Sequence, residues 1–175
     1  MHEWSQEASA RNLPVAFLFS RPPVVIGLGY VAAYAFLDWV SFINPIAPAG
    51  VTPWNPATGL SFALVLLLGR AYIPWLFVAP LIVSMVVLGL EHPAWTHLLG
   101  AVIVGMAYGA ATFLLTSPRL QFDRTLSAKR SLLLLIAVAA VSTGVVALSY
   151  AGLLAFSGVI TQADVAMTMV HQWVG

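Results

Sequence analysis

Hydrophobic residues fall into long runs separated by short clusters of proline, glycine and charge, and those breaks set the predicted elements. The first apolar run, Val24–Ile43, ends at "NPIAPAGVTPWNP", where prolines and glycine forbid a continuing helix. Ala57–Gly69 follows, then Tyr72–Leu90, which is interrupted by Pro74 and Pro80. The stretch "EHPAWTH" reads as another break, with His92 and His97 solvated in it, before Trp95–Thr116. A polar loop, "SPRLQFDRTLSAKR", precedes the uninterrupted run Ser131–Phe156, and a further helix begins near Asp164. A helix needs about 20 apolar residues to span a bilayer. The pattern therefore predicts an all-α, polytopic transmembrane bundle of five full spans plus the start of a sixth.

The placement of charge gives the bundle a direction. Counting alternate sides, all seven Lys and Arg residues (Arg11, Arg21, Arg70, Arg119, Arg124, Lys129, Arg130) fall on one face. Glu91, His92, His97 and Asp164 fall on the other, with Asp38 about a turn and a half inside the end of the first span. The positive-inside rule then makes the N-terminus cytoplasmic; the resemblance described below implies a bacterial inner membrane. Residues 1–22 are predicted as a cytoplasmic segment and 23–175 as one membrane domain. A cleavable signal does not fit, because hydrophobic material continues along the whole chain.

Composition agrees: 61% of residues are hydrophobic, 7% are charged, and the mean hydropathy is +0.94. Soluble domains carry about 25% charged residues. The lipid bilayer is thus the expected surrounding partner, and nothing points to nucleic acid. With no cysteine, disulfides and thiolate metal sites are excluded.

The second run raises its own question, since Ala57–Gly69 extends only about 20 Å as a helix, short of the roughly 30 Å hydrocarbon core. Two readings are open. The helix sits inside the bundle behind a rigid Pro53–Pro56 corner at membrane depth, or Tyr72 and Trp75 complete the crossing at the inner interface. In either case Asn55 is placed to cap the helix, with Pro56 in its first turn. Trp54 and Asn55 are also candidates to face a pocket.

"WNPATGLSFALVLLLGRAYIPWLFVAPLI" resembles the signature of the MASE1 family of integral membrane sensor domains. Trp54, Pro56 and Gly59 occupy the places of that family's Trp-Pro-Pro-x-Gly-like opening, with Asn55 where proline is common. "GAVIVGMAYGAATFLL" is similar to its next span, although Gly105, Met106 and Ala107 replace the usual polar patch. "HQWVG" resembles the family's aromatic-Gly-Asp segment, ending one residue before the acid. The resemblance covers about residues 24–175. It implies about eight spans feeding a C-terminal cytoplasmic output, a histidine kinase before a diguanylate cyclase or phosphodiesterase, so that the chain is expected to be the first part of a longer sensor protein. The last helix fits that expectation, since the twelve residues from Asp164 to Gly175 are too few to cross a membrane.

Ionisable groups within spans are costly and usually face a bundle interior. Asp38 lies about 8–9 Å below the outer end of its helix and His171 about 10 Å below Asp164. Their comparable depth suggests a charge-assisted pair or two ligands of a metal such as Zn or Cu. Asp38, Trp54, Asn55, Glu91, His92 and His171 are the candidate ligand-binding residues of an outward-facing pocket; the pattern names no cofactor. Gly105-Met-Ala-Tyr-Gly109 is a GxxxG pattern, for internal helix packing or, alternatively, homodimerisation. The basic loop is placed to rest on anionic headgroups. No phosphate loop, GxSxG or HExxH occurs, which argues against catalysis in this chain. The expected function is a signal-sensing membrane module. The rival is the small-molecule-binding subunit of an energy-coupling-factor-type transporter, and the blandest reading is a ligand-free membrane anchor.

Overall fold

The computed structural model describes residues 23–41, 55–87 and 93–174. Among the described residues all regular structure is helical. α1 is Pro23–Ser41, α2 Pro56–Leu68 and α3 Trp75–Ile82, the last extended by a wide turn over Val83–Val87. α4 is Ala94–Leu115, α5 Lys129–Phe156 and α6 Val165–Val174. Short 3₁₀ turns at Arg70–Tyr72, Pro118–Leu120 and Gln162–Asp164 join them. α1 packs on α2 and α3, α3 on α4, α4 on α5, and α5 on α6.

Among the described residues three helices are long and apolar enough to cross a membrane: Val24–Ser41 of α1, all of α4 and all of α5. The 13 residues of α2 and the helical run Arg70–Val86 are shorter. Helix length thus supports three of the five expected full spans. Large apolar side chains such as Leu28, Phe36, Leu133, Ile136, Val141 and Leu148 stay exposed along these helices. Apolar surface in such a continuous band fits hydrocarbon as the solvent.

Interhelix distance is set by aromatic rings lying on glycine backbones. A Cβ on Gly27 would fall 1.9 Å from the Trp75 indole, and one on Gly105 2.4 Å from the Phe77 ring. A Cβ on Gly100 would meet the Tyr150 ring at 2.9 Å. α1 and α4 therefore close on α3, and α5 on α4, at distances that only glycine permits. The GxxxG pair faces this interior, Gly105 against Phe77 and Gly109 beside Ile73. Trp75 is held over Gly27, and Tyr72 is buried in the core.

The prolines have separate roles. Pro74 sits at the start of α3, where a missing N–H costs nothing, so it begins a helix and does not bend one. Pro80 lies inside α3 and cannot donate to the ladder. Three residues later the Val83 N–H is shared between the Ala79 and Pro80 carbonyls, and the backbone widens over Val83–Val87. α2 stops at Gly69, whose φ of 102° is open to glycine at little cost.

All five described cations gather at one end of the bundle. Arg70 donates through Nε to Thr116 Oγ1 at 2.9 Å and through a terminal nitrogen to the Thr116 carbonyl at 3.0 Å. Its guanidinium also lies 4.1 Å from the centroid of the Phe113 ring. The turn after α2 is thereby tied to the carbonyl end of α4, where a cation is favoured. Residues 117–130 continue from that point and carry the other four cations. Within the loop, the Asp123 carboxylate accepts the Thr125 N–H at 2.9 Å and hydroxyl at 2.7 Å, and both the N–H and hydroxyl of Ser127.

Two tests follow from these contacts. Gly105→Val forces a side chain into the Phe77 ring and is expected to destabilise the bundle by about 1–3 kcal/mol in detergent unfolding. Gly29→Ala, with nothing within 4 Å of its added Cβ, serves as the control and is expected to stabilise by up to about 1 kcal/mol through helix propensity. The four bonds to Asp123 hold its carboxyl well below the usual carboxylate range. A depressed folded-state value means that the loop's stabilisation is present above the ordinary value of ~3.9 and is lost as pH falls through the lowered one. Amide exchange at Thr125 and Ser127 should therefore accelerate only in strong acid, and Asp123→Ala should abolish that pH dependence.

Candidate functional site

A polar stripe runs down α1. Tyr30, Tyr34 and Asp38 recur at four-residue intervals and so share one helix face. Tyr30 and Tyr34 are buried, their rings 5.8 Å apart and edge to face. Ser61 on α2 donates its hydroxyl proton to the Ala57 carbonyl at 2.8 Å, so the Tyr30 hydroxyl, 2.8 Å from Ser61 Oγ, is the donor in that pair. Thr58 Oγ1 and the Tyr108 hydroxyl are 3.0 Å apart, and Phe62 packs on the Tyr108 ring at 5.5 Å. Asp38 is half-buried one turn beyond Tyr34 on that face. Tyr30, Ser61, Thr58 and Tyr108 thus form a polar cluster across α1, α2 and α4 inside an apolar bundle, with Tyr34 and Asp38 continuing its α1 face.

The shortness of α2 has a structural cause. Arg70, two residues past the helix, reaches the last carbonyls of α4, so α2 and α4 end at the same level. α4 is 22 residues long, about 33 Å, whereas α2 extends about 20 Å. Its N-terminus therefore lies partway along α4, within the bundle, and the Thr58–Tyr108 contact places it there directly. Ala57 in the first turn has no exposed surface. Asn55 caps this interior end, its Oδ1 accepting the Thr58 N–H at 3.3 Å, with Pro56 at the first helical position. The positive end of the α2 dipole is thus directed at the level of the tyrosine hydroxyls.

Asp38 is the one acid of the cluster, and among the described residues no cation pairs with it. A lone carboxylate in apolar surroundings is costly. The arrangement can take up a proton at Asp38, or meet a polar or cationic group of a small ligand. Among the described residues no group of three or more His, Asp or Glu side chains converges with metal-binding geometry.

The other candidates from the sequence are distributed differently. Asn55 is half-buried, with its side chain engaged in the cap. His171 is half-buried on α6 and makes no ion pair with Asp38. α6 is instead anchored to α5 by Trp173, whose indole N–H donates to the Ala140 carbonyl at 2.9 Å, beside Gly144. Trp54, Glu91 and His92 lie outside the described residues. His97 is not a solvated loop residue: α4 has begun three residues earlier, and its side chain is 7% exposed. The cluster members Tyr30, Tyr34, Thr58, Ser61 and Tyr108 went unread in the sequence. The four-residue spacing of Tyr30, Tyr34 and Asp38 was a signal available there; no local pattern marks the residues from the other helices.

Comparison of the chain with protein-family models, curated proteins and solved structures gives no match.

The Tyr30–Ser61 bond is testable by a double-mutant cycle. Tyr30→Phe and Ser61→Ala should couple by about 0.5–1.5 kcal/mol in unfolding measurements, the net worth of one buried hydrogen bond. Strict additivity of the two changes would show that the hydroxyls do not meet.

Proposed function

We propose that this chain is a membrane-embedded sensing module of a bacterial signal-transduction protein, passing an extracytoplasmic or membrane cue to a cytoplasmic output of the histidine kinase class. The observation that supports the reading is the polar cluster itself. Buried hydroxyl bonds joining α1, α2 and α4, with a carboxyl on the same face of α1, respond to protonation or to a polar ligand by changing the contacts that hold those helices together. Such a change biases an output when the cue binds one helix arrangement more tightly than the other. The resemblance of the Trp54–Gly59 opening to MASE1 sensors points the same way.

In this reading the chain sits in the inner membrane with its cationic end in the cytoplasm. Five crossings are completed by the residues flanking α2 and α3, and α6 begins a sixth. Single cysteines in the otherwise cysteine-free chain test that topology. A thiol at Ser127 should react only with reagent supplied from the cytoplasm, and one at Gln162 only with reagent supplied from outside. Labelling of both from one side would rule out α5 as a crossing.

A second reading, the substrate-binding subunit of an energy-coupled transporter, has one observation in its favour. A helix whose N-terminus ends inside the bundle among hydroxyl groups is an arrangement used at substrate sites in transporters. One set of variants separates the two. In the full-length gene product, Asp38→Asn and Tyr34→Phe are expected to fix cytoplasmic phosphorylation at one level, with membrane insertion retained. Unchanged phosphorylation together with loss of saturable solute uptake would establish the transport reading instead. Unchanged behaviour in both assays would leave only an anchor.

A further inference from the structure

An apolar groove of about 420 Å³ runs between α4 and α5 on the outer surface of the bundle. Ala107, Ala110 and Leu114 line one wall and Ala137, Val141 and Val145 the other. Val141 is 68% exposed, so no other described part of the chain covers this wall. The small side chains on both helices leave a channel along the helix axes. It occupies the part of α4 nearest Leu115 and therefore runs toward the cationic end of the bundle.

The register of α5 links the groove to that end. Arg130 precedes Ala137 by seven residues and Val141 by eleven, both close to whole numbers of helical turns, and so lies on the same stripe. Seven residues correspond to about 10 Å, and helical side chains tilt toward the N-terminus, which directs Arg130 from the groove toward the cationic end. Lys129 adjoins it, and the loop between the two helices adds Arg119 and Arg124; all four cations are exposed. Asp123, the single acid among residues 117–130, has both carboxylate oxygens engaged by Thr125 and Ser127. Arg70 is committed to the end of α4.

An apolar channel that leads to a cluster of cations has the two chemistries of an anionic phospholipid in the right order. We propose that the α4–α5 groove seats an acyl chain of such a lipid, whose headgroup phosphate is held by Arg130 with Lys129 and the loop arginines. The bound lipid covers the seam between α4 and α5 from the cationic end and fixes the basic loop against the membrane surface. The position of Arg130 on the groove stripe sets it apart from a cation that only follows the general charge bias of loops. This site rests on the bilayer placement proposed above and is separate from the Asp38 cluster.

The test is native mass spectrometry of the protein released from detergent with phosphatidylglycerol or phosphatidylcholine added. Wild-type protein is expected to retain phosphatidylglycerol at several-fold lower lipid concentration. Arg130→Gln should weaken phosphatidylglycerol retention about fivefold, the effect of one cation near a charged surface, and leave phosphatidylcholine unchanged. Ala110→Phe, which fills the groove, should reduce retention of both. If that variant misfolds by circular dichroism, Ala137→Leu replaces it as the milder filling. Equal retention of the two lipids by wild type, or full phosphatidylglycerol retention by Arg130→Gln, overturns the proposal. So does disulfide crosslinking between two copies through a cysteine at Ala137, which would identify a second chain as the occupant. Carbonate extraction of cell membranes distinguishes the failures. A protein stripped from the membrane refutes the bilayer placement, whereas an integrated protein without lipid preference refutes only the groove site.

Discussion

The contact of aromatic rings with glycine backbones is the constraint on which the rest of the bundle depends. Between lipid-facing helices there is no hydrophobic driving force of the kind that operates in water, so association rests on close packing and on the few polar bonds available. Trp75 on Gly27, Phe77 on Gly105 and Tyr150 on Gly100 provide that packing at three interfaces. Each ring also fixes the rotation of the helix it comes from. With α1, α3, α4 and α5 set in this way, the polar faces of α1 and α4 are turned toward α2.

The polar cluster follows from those rotations. Tyr30 and Tyr34 are buried because α1 is held with that stripe inward, and Asp38 is carried to the same side by the helical repeat. Their hydroxyl partners come from helices distant in sequence: Ser61 is 31 residues from Tyr30, and Tyr108 is 50 from Thr58. α2 reaches them because its N-terminus stops inside the bundle, with its own cap supplied by Asn55. The cap and proline at its start satisfy a helix end that lies away from bulk water.

The two ends of the bundle differ in chemistry. At one, Arg70 and the loop 117–130 gather cations around the carbonyl end of α4. Toward the other lie Asp38 and, at the start of the last helix, Asp164, which accepts the Thr161 hydroxyl at 2.6 Å. The proposed functions use this polarity differently. The sensor needs the cluster to communicate along the helices to the cationic end, and the lipid site would hold that end at the membrane surface.

By itself the sequence determined the helical class, the places where helices break and the gathering of cations, because these depend on local chemistry. α4 and α5 begin and end within a residue or two of the runs read from hydropathy, since proline, glycine and charge interrupt a helix wherever the chain is placed. The Asn55 cap was legible for the same reason. Tertiary structure alone decided that Gly105 of the GxxxG pair receives Phe77, that His97 is buried, that Tyr72 belongs to the core, and that Asp38 forms no ion pair with His171. In an apolar chain nearly every face of a helix is hydrophobic, so periodicity does not mark which face turns inward. That choice belongs to the fit of side chains from helices far apart in sequence.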